Sequence, residues 1–223
     1  MPQGLQRRLG AELAPTSLRL EAYQEIKRRI NRLEYRPGAY LNEAQISRQL
    51  QIGRTPVHQA LDRLMLEGLV QIIPRKGVVV QSISLDEVLQ LLEARLVNEV
   101  HCIELATERA TDAHISALQS LLASAEPLVR ARDREKLMNV DREFHRLISD
   151  AAGNAIIADI LRILHDRSLR FWFIAVGDDL QLRRIAQEHK AIVAAIKQRN
   201  RRLAGAAMRK HIASSREHIM RAI

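Results

Sequence analysis

Asp141 and His145 stand four residues apart on a strongly helical stretch, so both side chains leave the same face. His189 falls on the next-to-last predicted helix and His211 on the last. One carboxylate and three imidazoles can converge inside a helical bundle. That set suits a divalent metal, zinc foremost with nickel, iron or manganese as alternatives, and leaves coordination positions for water or a ligand. A single histidine on a helix is as a rule an ordinary core or surface residue, so none of the three marks a metal alone. His101, His114, His165 and His218 are given that ordinary reading. A metal held by this set can also activate water, which makes a metalloenzyme the alternative class. No general base is evident beside it. Glu188 adjoins His189 but is expected to point elsewhere on its helix, and the chain is expected not to be an enzyme.

A second group lies near the N-terminus, in Arg54-Thr55-Pro56-Val57-His58-Gln59-Ala60-Leu61. On a helix starting here, successive residues turn by about 100°. Val57, Ala60, Leu61 and Leu64 share one arc, which is expected to pack inward. Thr55, His58, Gln59 and Asp62 share the opposite, polar arc, whose hydroxyl, imidazole and amide groups can meet base edges in a major groove. Arg54 at the helix start can reach a phosphate or a guanine, and Thr55 is expected to cap the helix. Pro56 is tolerated in a first turn. Downstream, Arg75 and Lys76 are candidates to hold the DNA backbone, and Gly77 to allow close approach. The competing reading is a small helical domain with a solvated polar face.

These residues need elements to hold them. Residues 1–16 show no sustained periodicity and are expected to form a flexible arm. Leu20, Tyr23, Ile26, Ile30 and Leu33 recur at spacings of three or four, predicting a helix from Ser17 that stops at Arg36-Pro37-Gly38. A short helix is predicted over 43–50 and a third over about 55–67, ended by Gly68. Two β-branched runs, Leu69–Ile73 and Val78–Val80, flank Pro74-Arg75-Lys76-Gly77 and predict a β-hairpin with a basic tip. Three helices and a hairpin make a winged helix-turn-helix over 17–81. Residues 82–84 read as a linker, and Ser84-Leu85-Asp86-Glu87 as a helix start. Six helices are predicted beyond it, near 84–110, 112–131, 133–151, 154–175, 179–199 and 201–221, giving a helical metal-, effector-binding and dimerisation domain over 85–223. The fold class is mainly α: an N-terminal winged helix-turn-helix with a small β-hairpin and a C-terminal all-α bundle.

Bulk composition agrees. Of 223 residues, 47% are apolar and only 3% aromatic, which favours helices over a sandwich or barrel. The net charge of +9 admits nucleic acid as a partner. Residues 1–84 hold 13 Lys/Arg and 7 Asp/Glu against 22 and 19 in the rest, so the smaller part is the more basic per residue. Cys102 is the only cysteine, which excludes an intrachain disulfide or a CxxC zinc site. The first twenty residues have no apolar h-region, and no apolar run approaches membrane-spanning length, so a cytoplasmic protein that engages no membrane is expected.

Residues 18–81 resemble the GntR family of winged-helix transcription regulators. The resemblance rests on Arg36-Pro37-Gly38, Arg54-Thr55-Pro56-Val57-x-x-Ala60-Leu61-x-Arg63-Leu64, Glu67-Gly68-Leu69-Val70 and Pro74-Arg75-Lys76-Gly77. It implies a regulator that binds double-stranded operator DNA. Four positions depart from the family pattern. Gly53 replaces a usual serine or threonine, His58-Gln59 replaces a usual Arg-Glu pair, and Ala44 stands at or near a usual arginine. The loss of positive charge implies weaker phosphate-driven affinity and a different operator preference.

Residues 85–220 resemble the FCD ligand-binding domain of the FadR subfamily. The matching pieces are Arg95-x-x-x-Glu99, Asp141-x-x-Phe144-His145, Ala152-Gly153-Asn154, Glu188-His189 and the late His211. The resemblance implies a homodimer and a divalent metal on Asp141, His145, His189 and His211. It also implies a small carboxylate effector over the metal, with Arg95 pairing a second acidic group. Arg142, Arg146 and Arg170 are further candidates, although surface ion pairs explain them equally well. Repression relieved by the effector is the commoner outcome in such regulators. The apolar residues between Ile156 and Phe173 are read first as bundle core.

Overall fold

A computed structural model of the chain describes residues 15–74, 77–82, 84–175 and 179–222. Its contacts divide the chain into two compact units, one ending at Ser82 and the other comprising the rest.

The first unit runs α1 (Pro15–Asn31), β1 (Tyr40–Leu41), α2 (Glu43–Leu50), α3 (Arg54–Leu66), β2 (Val70–Ile73) and β3 (Gly77–Val80). The inner face of α1 is Ala22, Tyr23, Ile26 and Ile30; Leu20 is exposed and Leu33 lies beyond the helix end at φ 59°. Leu20 and Leu33 thus leave the predicted periodic face, which is one turn shorter at each end. Asn42 caps α2, its Oδ1 accepting the Gln45 N–H at 3.0 Å. Gly68, at φ 71°, follows the last turn of α3 and lets the chain turn into β2. The hairpin β2–β3 pairs antiparallel, with Val70 opposite Val80 and Ile73 opposite Gly77. A third strand, β1, adds to the outer side of β3, pairing Tyr40 with Val79 and Leu41 with Val78. Ile26, Ile30, Val57, Leu61, Leu64 and Leu69 fill the core under the sheet.

One buried polar cluster crosses this core. Lys27 Nζ lies 2.6 Å from Glu67 Oε2, and the Tyr23 hydroxyl donates to Glu67 Oε1 at 2.8 Å. The Arg63 guanidinium stacks over the Tyr23 ring at 3.8 Å. Burial alone pushes the Glu67 carboxyl up, but its bonds to Lys27, Tyr23 and Arg63 outweigh that and hold it below the usual range. The cluster ties the end of α3 to the middle of α1.

The second unit is helical: α4 (Leu85–Arg109), α5 (Asp112–Ala131), α6 (Arg134–Ala152), α7 (Ala155–Ala175), α8 (Asp179–Lys197) and α9 (Arg201–Ala222). Polar caps mark several of their starts. Ser84 accepts from the Glu87 N–H, Thr111 and His114 form a reciprocal capping box, and Asn154 and Asn200 cap α7 and α9. Gly153, at φ 61°, ends α6. The predicted break at 177–178 lies outside the described residues. Helix α4 packs against α6, α7 and α9, and Ile103, Leu118, Phe144, Ile148, Ile192 and Ile212 share one core. Part of the apolar run on α7 is not core. Leu161, Leu169 and Phe171 are buried, whereas Ile156, Ile160 and Ile163 are exposed.

Candidate functional sites

In the first unit, α3 carries its predicted faces. Val57, Ala60, Leu61 and Leu64 are buried, while Arg54, Thr55, His58 and Gln59 are exposed. Thr55 does not cap the helix. The chain enters α3 earlier, so Gly53, two residues before Thr55, is the N-cap and Thr55 the second helical residue. Gly53 has no side chain to offer, and the first turn of α3 lacks a side-chain cap. Its outward N–H groups suit a phosphate oxygen.

His58 is not a free imidazole. Its Nδ1 lies 3.0 Å from Glu43 Oε1 on α2, and its Nε2 lies 3.6 Å from Asp62 Oδ2 one turn on. The bond to Glu43, with Asp62 adding to it, raises the His58 pKa. A concavity of about 480 Å³ lies between the starts of α2 and α3 and strand β3, lined by Tyr40, Asn42, Glu43, Arg54 and Gly77 among others. Gly77 has φ 96°, and a Cβ there would meet nothing within 4 Å. The glycine therefore serves the backbone turn rather than a tight contact inside the chain. Arg75 and Lys76 lie outside the described residues. Tyr40, 61% exposed beside Arg54, is a groove residue that sequence reasoning missed, because a two-residue strand leaves no periodic signal.

In the second unit, α6 supplies Asp141 and His145, α8 supplies His189 and α9 supplies His211, and the structure brings the four together. One ligand atom from each lies within 4.8 Å of every other. His189 Nε2 is 3.5 Å from Asp141 Oδ1, and His145 Nε2 is 4.0 Å from the same oxygen. The three histidines are buried. The Nε2 atoms of His145 and His189 are fully buried and have no hydrogen-bond partner. Buried polar atoms of this kind ordinarily have a partner, and a cation would be one.

Two of the rings, His145 and His211, meet a carboxylate at Nδ1. Glu99 Oε2 lies 2.8 Å from His145 Nδ1, and Glu188 Oε2 lies 3.1 Å from His211 Nδ1. Each carboxylate fixes its ring so that Nε2 faces the centre, the arrangement by which outer partners orient metal-binding histidines. Phe144 stacks on His189 at 3.9 Å with the rings 15° apart. Burial, reinforced by His211 and His145, holds the His189 pKa well below its ordinary value and keeps the ring neutral, as a ligand must be. Burial would push Glu99 up, but Arg95 and the imidazoles of His145 and His165 outweigh it and keep the carboxyl ionised. One carboxylate and three imidazoles fit a divalent transition metal with open positions.

Two residues sit differently from expectation. Glu188 does not point away: it is buried and reaches across to His211 on α9. His165, given an ordinary reading, is buried with its ring 4.2 Å from that of His145 and Nε2 3.4 Å from Glu99. Glu99, His145 and His165 form a second close grouping. Apart from the ion pair of Glu99 with His145, Glu99 Oε2 and His165 Nε2 of that grouping are likewise buried without a hydrogen-bond partner, but it offers three ligand residues where the first offers four. Arg95 bonds Glu99 through Nε at 2.7 Å. Arg142 pairs with Asp166, Arg146 with Glu143 and Asp150, and Arg170 with Glu87, so each of these arginines has a carboxylate partner within the unit. Among the described residues, no helix is long and apolar enough to cross a membrane.

Comparison with known proteins gives two family matches. The family described as bacterial regulatory proteins, gntR family, matches residues 18–80, and the FCD domain matches residues 90–214. The Nta operon transcriptional regulator of Aminobacter aminovorans is 30% identical over 154 residues, 69% of this chain and 71% of that protein. The HTH-type transcriptional repressor GlaR of Escherichia coli is 26% identical over 204 residues, 86% of this chain and 91% of that one. Among solved structures, E. coli McbR/YncC superposes with a TM-score of 0.83 at 21% identity, covering 92% of this chain and 98% of that chain.

Proposed function

Because the chain belongs to the gntR family of bacterial regulatory proteins and carries an FCD domain, and is thus a DNA-binding transcription regulator, we propose that it is a repressor controlled by a small carboxylate bound at a divalent metal. The observation that carries the metal reading is the convergence of Asp141, His145, His189 and His211 around buried, partnerless Nε2 atoms. These four residues hold the ion, and Glu99 and Glu188 orient two of the rings. Bound there, a divalent ion supplies open coordination positions for a carboxylate oxygen. Zinc suits the set best, with nickel, iron and manganese as alternatives. Arg95 borders the small space shared by Asp141 and His211, where it would meet a second acidic group on an effector that carries one. The name of GlaR as a repressor supports the sign of control.

The DNA-reading residues are Arg54, Thr55, His58 and Gln59 on α3, with Arg75, Lys76 and Gly77 on the wing. The chain acts in the cytoplasm as a homodimer on a two-fold symmetric operator. The exposed isoleucines of α7 support a second copy as the cover for that face. Effector binding releases operator DNA by favouring the conformation that binds DNA less well, which requires unequal effector affinity for the two states.

The test begins with elemental analysis of untagged protein, expected to give about one divalent ion per chain. His189→Ala and His211→Ala are expected to lose it, and retention of metal by both variants would rule the site out. Carboxylic acids are then screened by thermal shift. The effector is the acid that both raises the melting temperature and frees operator DNA. If no acid in a broad set does both, the effector reading is wrong.

A further inference from the structure

Two spaces adjoin Asp141, and they differ in size and chemistry. On the Arg95 side, between Asp141, Trp172, Gln181 and His211, the void is about 20 Å³, room for a single water. On the other side a cavity of about 380 Å³ opens along α5, α6 and α8, bordered at its inner end by Asp141 and His189. That volume lies within the roughly 300–1,000 Å³ of pockets that enclose small ligands. Leu122, Val129, Leu137, Val140, Trp172 and Ile185 wall it. The charged residues described on its lining away from Asp141, namely Glu126, Arg130, Arg183 and Lys190, are all exposed. Trp172 lines both spaces, and its Nε1–H is buried without a hydrogen-bond partner.

From this asymmetry we propose that the effector is a monocarboxylate with an apolar alkyl or aryl body, its carboxylate toward Asp141 and His189 and its body along Trp172 in the larger cavity. The proposal rests on the reading of a carboxylate at the metal and specifies which carboxylates fit. A short di-acid would have to place its second charge either against the leucine and valine walls or in the 20 Å³ void. The first desolvates an ion in the inner part of the cavity, because the described cations on the lining, Arg130, Arg183 and Lys190, are on its exposed part. The second faces an Arg95 whose Nε is already bonded to Glu99. An apolar body removes its own surface and the cavity wall from water together.

Trp172 is the only tryptophan of the chain, so its fluorescence reports on this cavity without labelling. The experiment titrates zinc-loaded full-length protein with butyrate, hexanoate, octanoate, succinate and octan-1-ol, with and without EDTA. Each added methylene is expected to tighten binding about fourfold, and butyrate to octanoate about two hundredfold. EDTA is expected to weaken octanoate binding and leave octan-1-ol unchanged. Ala186→Phe, at a half-buried position on the cavity lining, is expected to weaken octanoate by about tenfold or more while metal content and helicity stay as they are. A flat chain-length series, or succinate binding more tightly than octanoate, overturns the apolar-body inference and leaves the carboxylate-at-metal reading standing. Octan-1-ol matching octanoate, both insensitive to EDTA, removes that reading and this proposal with it. Unchanged octanoate binding by Ala186→Phe overturns the assignment to this cavity.

Discussion

His58 places a titratable group between two acids on the face of α3 assigned to DNA. Protonated, it offsets the negative charge of Glu43 and Asp62; neutral, it leaves those carboxylates facing phosphate. Its pKa is raised, chiefly by the bond to Glu43, so the protonated form persists above the ordinary histidine value. Operator affinity is therefore expected to be full at low pH and to fall as pH rises through that raised pKa. The His58→Ala variant is expected to bind more weakly at low pH and to lose the pH dependence. Fluorescence anisotropy at fixed salt, from about pH 6 to about pH 8.5, checks both. At this scale the sequence was readable where one helix face decided the matter. Four-residue spacing put Asp141 and His145 on one face. It was unreadable where packing decided. Glu188 does diverge from His189 on α8, but α9 packs there and presents His211 to it. His165 lies on an apolar helix with no spacing signal, and only the position of α7 brings it to Glu99.

At the scale of elements, long periodic helices were legible because propensity, caps and breakers agree: Ser84, Gly153, Asn154 and Asn200 mark starts and stops in the sequence and serve as caps in the structure. Strand β1 was not legible, since Tyr40 and Leu41 become a strand only by pairing with β3. The start of α3 misled for a related reason. Thr55 is a good capping residue, but the chain turns into the helix at Gly53. The buried cluster at the other end of α3 gives the element-scale prediction. Glu67→Ala removes the buried carboxylate that Lys27, Tyr23 and Arg63 share, and is expected to destabilise the first unit by about 3–5 kcal/mol. Urea unfolding followed by circular dichroism measures the loss. A change below about 1 kcal/mol, the range of exposed pairs, would mean that solvent reaches the pair.

For the molecule as a whole, the exposed isoleucines of α7 matter most. Ile156 is 72% exposed, and Ile160 and Ile163 continue the same face at helical spacing. The α7 run reads as core in the sequence because periodicity measures apolarity, not what covers it. Ile163→Glu is expected to shift the proposed dimer to monomer in analytical ultracentrifugation. Because a palindromic operator engages two heads at once, the monomer is expected to bind it at least about a hundredfold more weakly. A variant that sediments as a dimer would place the interface elsewhere.

The Lys27–Glu67 pair has a consequence for ionic strength. Charges on the exposed end of α3 act on phosphates through solvent, where added salt displaces them. The buried pair has little solvent around it, and screening reaches it weakly. Salt thus separates two properties that share the same helix: grip on DNA fades, while the bond fixing the end of α3 to α1 persists. A head that has let go of its operator in strong salt is still folded, and on dilution it can bind again without first having to refold.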